Sequence, residues 1–162
     1  MGIKANFSMG DIKQRNQQFV DTILITIEKV LQRSIIEIVN TAKNTDTYTD
    51  RTNNLRSSIG YVLYKDGQKV SASFEKAGDG GEGNGSEGTQ KGLAYADLVA
   101  NNFSSGYVVV LVAGMDYAAY VEAKGYDVIT GASLSLDPEI KRNFEDAKDA
   151  IKEQTGIDLS LI

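Results

Sequence analysis

The chain is predicted to be an α+β fold, with a long N-terminal amphipathic helix and a C-terminal helix packed on a small, mainly antiparallel sheet, and a flexible glycine-rich loop in between. Three observations carry this reading. From Val20, the apolar residues Leu24, Ile27, Leu31, Ile35, Ile38 and Ala42 recur every third or fourth position, which makes one stripe of an α-helix. Tyr61-Val62-Leu63-Tyr64 and Lys69-Val70-Ser71-Ala72-Ser73-Phe74 flank Lys65-Asp66-Gly67-Gln68, and Asp-Gly between two such runs signals a hairpin. Near the end, Asp137-Pro138 opens a segment in which Ile140, Phe144, Ala147 and Ile151 again keep helical spacing.

The totals bound what the fold can do. A chain of 162 residues suits a single domain, burying roughly 70% of its unfolded surface. Seventeen basic against 22 acidic side chains give a net charge of −5. That balance argues against a nucleic-acid or anionic-membrane surface, because both draw their affinity from clustered Lys and Arg. Cysteine and histidine are both absent, which excludes disulfides, thiolate nucleophiles, His-based triads and the usual Cys/His zinc site. No cofactor or metal is expected. The N-terminal Met-Gly-Ile-Lys-Ala-Asn-Phe has no secretory apolar stretch and no run of ~18 apolar residues follows, so a soluble chain made in the cytoplasm is expected.

Ser8 and Asp11 form a capping-box pattern ahead of the first helix, which is predicted over residues 9–44. Ile23, Val30 and Val39 widen its stripe. At 1.5 Å per residue such a helix is ~50 Å long, more than a small domain is wide, so it either breaks or projects. The polar run 44–50 leads to Asn53-Asn54, suited to a left-handed turn, and Leu55 and Ile59 can anchor one helical turn. The hairpin follows over 60–74. Residues 78–92 carry seven of the 16 glycines and no apolar side chain, and are read as a flexible excursion. Calcium-loop and phosphate-loop registers both fail there: aligning the former on Gly85 puts Gly80 and Lys91 at ligand positions, and Lys91-Gly92-Leu93 reverses the order that the latter needs.

A short helix is predicted over 93–103, packing through Tyr95, Leu98, Val99 and Asn102. The run 107–112, apolar on both faces, reads as the central, doubly covered strand. A second short helix over 116–124 begins with Asp116 as its cap, with Tyr117, Tyr120 and Val121 holding it to the sheet. Residues 126–130 read as an extended segment. The C-terminal helix spans 138–155 with Asp137 as N-cap, Pro138 at its first position and Gly156 as C-cap. The final Ile157-Asp158-Leu159-Ser160-Leu161-Ile162 alternates, predicting a strand or a tail that docks into a groove of its own or a neighbouring subunit.

Two segments together resemble one family. Asp50-Arg51-Thr52-Asn53-Asn54-Leu55-Arg56-Ser57-Ser58-Ile59, after a long helix, and Met115-Asp116-Tyr117-Ala118-Ala119-Tyr120-Val121-Glu122-Ala123-Lys124-Gly125, after a Val-rich strand, resemble the HK97 gp10-like tail-component family of tailed bacteriophages. That family shows a Thr-Gly-x-Leu-x-x-Ser-(Ile) element and later a Tyr-Ala-x-(Tyr/Phe)-Val-Glu-x-Gly element. Here Asn53 or Asn54 stands where glycine is usual, and Ala123-Lys124 adds one residue before Gly125. The resemblance implies a neck or tail-completion protein of the virion, assembled as a homo-oligomeric ring, such as a hexamer, between head connector and tail tube. DNA would pass through its lumen without sequence-specific contact, and no membrane is involved. Its contact residues are expected among Arg51, Arg56, Glu122 and Lys124, with Leu159, Leu161 and Ile162 of the tail.

Two other classes compete with this reading. A non-phage binding module would use the same surfaces. A small carboxylate enzyme would use Asp46, Asp50, Asp116 and Glu122, but Asp46 and Asp50 sit among turn-forming Thr residues, Asp116 is placed to cap a helix, and Glu122 is expected to pair with Lys or Arg.

Overall fold

A computed structural model describes residues 8–78, 81–156 and 158. Helix α1 (Met9–Lys43) is unbroken and starts at the expected capping box, with the Asp11 N–H donating to Ser8 Oγ while the Ser8 N–H donates to the Asp11 carboxylate at 2.8 Å. Its 35 residues extend ~52 Å at 1.5 Å per residue. Full burial is confined to its second half, at Val30, Ser34, Ile35, Ile38, Val39 and Ala42, so the first half projects beyond the sheet.

A single turn, α2 (Asn54–Ser57), feeds strand β1 (Ile59–Lys65), which pairs antiparallel with β2 (Gln68–Ser73) and with β3 (Tyr107–Ala113). Asp66 and Gly67 adopt φ of +50° and +75°, the two left-handed positions that a two-residue hairpin needs. The sheet order is β2-β1-β3, so β1 is central and β3, expected in the centre, is an edge. Both faces of β3 are apolar because a helix covers each face of the sheet, and that coverage does not require a neighbouring strand on both sides. Tyr107, Val109, Leu111 and Ala113 join Tyr61 and Leu63 in the cluster under α1. Val108, Val110 and Val112 join Val62 in a second cluster under α3 (Ser86–Ala100).

Two matching clamps fix the helices at the hairpin end of the sheet. On the α1 side, Lys65 and the Tyr107 hydroxyl both donate to Glu28, at 3.0 and 2.9 Å. On the α3 side, Tyr64 and Lys69 donate to Asp97, at 2.7 and 2.9 Å. The Lys65 ammonium beside Glu28 and the Lys69 ammonium beside Asp97 hold both carboxyls below their ordinary range.

The glycine-rich stretch departs from the flexible loop expected of it. From Ser86 it is helical, and Gly85, Gly88 and Gly92 are buried. Gly88 and Gly92 are in backbone contact: a Cβ at Gly92 would lie 2.6 Å from the Ser58 carbonyl oxygen, and one at Gly88 would lie 2.1 Å from that of Asn54. Glycine serves here for close approach. Gly88, Gly92, Ala96 and Ala100 form the buried face of α3, whereas Tyr95 and Leu98, expected to pack, are 51% and 64% exposed. So short a separation between helix and sheet leaves no room for large side chains, and they turn outwards.

After β3, α4 (Ala118–Ala123) and α5 (Thr130–Leu134) follow; the segment expected to be extended instead bends at Val128, which enters the core, and leads into α5. Helix α6 (Leu136–Thr155) starts after Ser135, so Asp137 and Pro138 lie inside its first turn, where amide groups have no helical acceptor to lose. Gly156 caps it at φ +73°. Along α1 it runs antiparallel: Arg142 meets Glu37 at 3.2 Å, buried Asn143 donates to Ser34 Oγ at 2.9 Å, and Gln154 and Thr155 share a groove with Phe19 and Thr22. Among the described residues no helix is long and apolar enough to cross a membrane. The alternating tail expected over 157–162 lies outside the described residues apart from Asp158.

Candidate functional site

The two segments that carry the family resemblance lie side by side. Ser58 joins them: its carbonyl accepts the Gly114 N–H at 3.1 Å, its hydroxyl accepts the Met115 N–H at 3.3 Å, and the same hydroxyl donates to the Leu55 carbonyl at 2.7 Å. Asn53, rather than Asn54, takes the left-handed position at φ +60°, in place of the glycine usual in the motif. The buried Asn53 amide also donates to the Gly83 carbonyl at 2.9 Å, a bond that glycine cannot make.

Where the two segments meet, a cleft of about 900 Å³ opens, lined by 46–52, Asn54, Leu55, Glu87, Lys91, 115–117, Tyr120, Val121, Lys124 and Tyr126. Its lining is aromatic and carries both signs of charge, with Asp46, Asp50, Glu87 and Asp116 beside Arg51, Lys91 and Lys124. Tyr117, Tyr120 and Tyr126 are 39%, 64% and 47% exposed, which corrects the expectation that Tyr117 and Tyr120 fasten α4 to the sheet. Buried Ala118 and half-buried Val121 do that instead, because the short α4 lies against the core by one edge only. Lys124 stands 5.2 Å from the centre of the Tyr120 ring. The Arg51 side chain is largely exposed, with Glu82 at 3.7 Å as its ion-pair partner.

Arg56 and Glu122, expected to face a neighbour, are engaged within the chain. The Arg56 guanidinium donates to the carbonyls of Lys43 and Tyr48 and lies 4.9 Å from the centre of the Tyr48 ring, which fastens the 44–50 loop to the end of α1. The Arg56 backbone N–H donates to the Asp50 carboxylate at 2.7 Å. Glu122 accepts the N–H groups of Val128, Ile129 and Thr130 at 3.2–3.3 Å. Partial burial pushes its carboxyl up, but the hydrogen bonds from Thr130, Ile129 and Val128 outweigh it and hold the group below its ordinary range. Unpaired amides at the start of a helix are strong donors to a carboxylate, so no Lys or Arg partner is needed. Asp116, expected as a cap, turns instead to Lys91 at 2.8 Å.

Three of the carboxylates weighed for acid–base chemistry, Asp46, Asp50 and Asp116, line the cleft, where Asp50 accepts the Arg56 backbone N–H and Asp116 accepts from Lys91. The Tyr48 hydroxyl is buried with no hydrogen-bond partner among the described residues, and burial pushes its pKa up to about 12, so it stays protonated. Among the described residues no three carboxylates gather as a metal ion would require. Tyrosine and arginine on an open rim suit contact with another protein surface. Leu159, Leu161 and Ile162 lie outside the described residues.

Sequence reasoning missed the packing of the glycine stretch and the inward turn of Glu122. The first had a visible signal: Gly88, Gly92, Ala96 and Ala100 are spaced by four, the mark of a helix face built for close approach. The second had none, because nothing in the 126–130 segment announces the amides that Glu122 meets. Compared with known protein families, curated proteins and solved structures, the chain matches none.

Proposed function

We propose that the chain is a structural subunit of the neck or tail-completion region of a tailed bacteriophage or prophage, acting without catalysis as one member of a ring that joins head connector to tail tube. The observation that carries this reading is the meeting of the two resembling segments through Ser58 at one cleft, whose rim presents Arg51, Tyr117, Tyr120, Lys124 and Tyr126 to the outside. Tyrosine and arginine are among the residue types that concentrate binding energy in protein interfaces. A net charge of −5 favours a soluble subunit before assembly and a lumen along which DNA slides. A non-phage binding module draws on the same exposed tyrosines.

The test removes the rim and leaves the core intact. Tyr120→Ala combined with Lys124→Glu touches no buried group, so the circular dichroism spectrum and melting temperature should stay within error of the wild type while binding to connector rings or tail tubes weakens at least tenfold. Unchanged binding would remove the cleft from the contact surface. Binding to unrelated proteins only would favour the module.

A further inference from the structure

The charges that line the cleft are unequally matched. Lys91 lies between two carboxylates, 2.8 Å from Asp116 and 3.1 Å from Glu87. Arg51 turns to Glu82, which is not part of the lining, at 3.7 Å. Lys124 meets the Tyr120 ring and has no ion-pair partner among the described residues. Two carboxylates of the 44–50 loop are left without a cation. Asp46 is exposed and has no partner among the described residues, and Asp50 commits one oxygen, Oδ2, to the Arg56 backbone N–H. The Arg56 guanidinium is held by the carbonyls of Lys43 and Tyr48 and does not line the cleft.

Aromatic rings surround these carboxylates. Tyr48, Tyr117, Tyr120 and Tyr126 all line the cleft. Burial pushes the Tyr48 and Tyr117 hydroxyls up and the charge of Asp50 adds to it at both, so this carboxylate stands close to two of the four rings. Leu55, Met115 and Val121 supply aliphatic surface in the same cavity.

We propose that the cleft takes an arginine side chain presented by a partner protein, with its guanidinium among the tyrosine rings and Asp46 and Asp50 as its counter-charges. The lining selects this guest over others. An anion would face Asp46 and Asp50, with Lys124 as the one lining cation among the described residues that no carboxylate holds. A neutral apolar side chain would cover the two carboxylates without compensating them, which is costly. A cation meets both needs, because ring faces attract positive charge and the carboxylates neutralise it. Lys124, 5.2 Å from the centre of the Tyr120 ring, already shows the first of these contacts. Arginine suits the cleft better than lysine: its planar fork stacks on a ring while donating to a carboxylate, and its aliphatic stem can lie on Leu55, Met115 and Val121. The volume of about 900 Å³ admits such a side chain together with the backbone that carries it. The inference deepens the reading of the cleft as a protein contact and rests on that reading only for the source of the arginine; the preference for a cation rests on the lining.

Titration with N-acetyl-arginine amide tests it, with the citrulline and glutamate counterparts as neutral and anionic probes. The Met115 methyl resonance reports binding, since Met115 lines the cleft and is one of only three methionines. The arginine probe should shift it saturably and bind about tenfold more tightly than either counterpart. Asp46→Asn with Asp50→Asn should weaken the arginine probe about tenfold, while the amide oxygen left at position 50 still accepts the Arg56 N–H. Tyr126→Leu keeps an apolar side chain but removes a ring face, and should weaken it about threefold. Should the double variant lose its fold, Tyr126→Leu and the citrulline probe decide. Equal binding of the arginine and citrulline probes, or a Met115 resonance that the arginine probe leaves in place, would overturn the inference, and connector rings or tail tubes that still bind the wild type would then leave the contact reading standing. Arginine binding at Met115 by a chain that binds no connector or tail tube would uphold the cation site and overturn its assignment to a neck partner.

Discussion

The Asn53 side-chain amide donates to the Gly83 carbonyl at 2.9 Å, and through this bond the first resembling segment holds down the glycine-rich stretch. Asn53 is buried and left-handed, with φ at +60°. Asn53→Ala combines a strained backbone with an unpaired carbonyl and should cost about 2 kcal/mol of unfolding free energy. Asn53→Gly relieves the strain and should cost about half as much. Urea denaturation of both variants checks the order: equal losses would show that the left-handed backbone adds no strain, and a glycine variant as stable as the wild type would show that the hydrogen bond contributes nothing.

Close approach at α3 predicts a contrast between two glycines. Gly92→Ala would set a methyl 2.6 Å from the Ser58 carbonyl oxygen and the Phe74 ring, so about 1–3 kcal/mol of overpacking is expected. Gly125→Ala meets nothing within 4 Å and suffers only from its φ of +87°, a cost of about 1 kcal/mol. A Gly92→Ala chain as stable as the wild type would mean that α3 sits further from the sheet.

Glu122 predicts a loss confined to one pH range. Its carboxyl is held below the ordinary value of 4.5 in the folded chain, so its contribution is fully present above that value and disappears as pH falls through the lower folded value. Glu122→Gln should therefore lower stability by about 1 kcal/mol at neutral pH, with the gap to the wild type closing in acid. Glu122→Lys should destabilise further by placing a cation at the start of α5. Thermal melts from pH 7 down to pH 3 read both effects, and a pH-independent gap would contradict the assignment.

Tyr48 predicts a gain. Its hydroxyl is buried without a partner, so Tyr48→Phe should leave stability unchanged or raise it by up to about 1 kcal/mol. Because burial raises the folded pKa from 10 to about 12, the wild type should lose stability relative to the variant as pH climbs through that interval. Identical alkaline unfolding of the two chains would place the hydroxyl in contact with water.

Much of this architecture was legible because it rests on local patterns. The Ser8/Asp11 box, the stripe from Leu24 to Ala42, the Asp66-Gly67 turn and the Gly156 cap each express a rule acting within a few residues. What stayed hidden was set by partners far along the chain. The place of β3 at the edge depends on strand order, and the inward turn of Glu122 depends on amides six to eight residues on. The cleft was half legible: both of its segments stand out in the sequence, but only the bonds to Ser58 bring them together.

The most direct measurement is the mass of the wild-type chain by light scattering across a hundredfold concentration range, with negative-stain images of the same fractions. A ring subunit predicts a closed oligomer, an integral multiple of 17.5 kDa, visible as annuli with a central opening. A single chain at every concentration that also leaves connectors and tail tubes unbound would contradict the account.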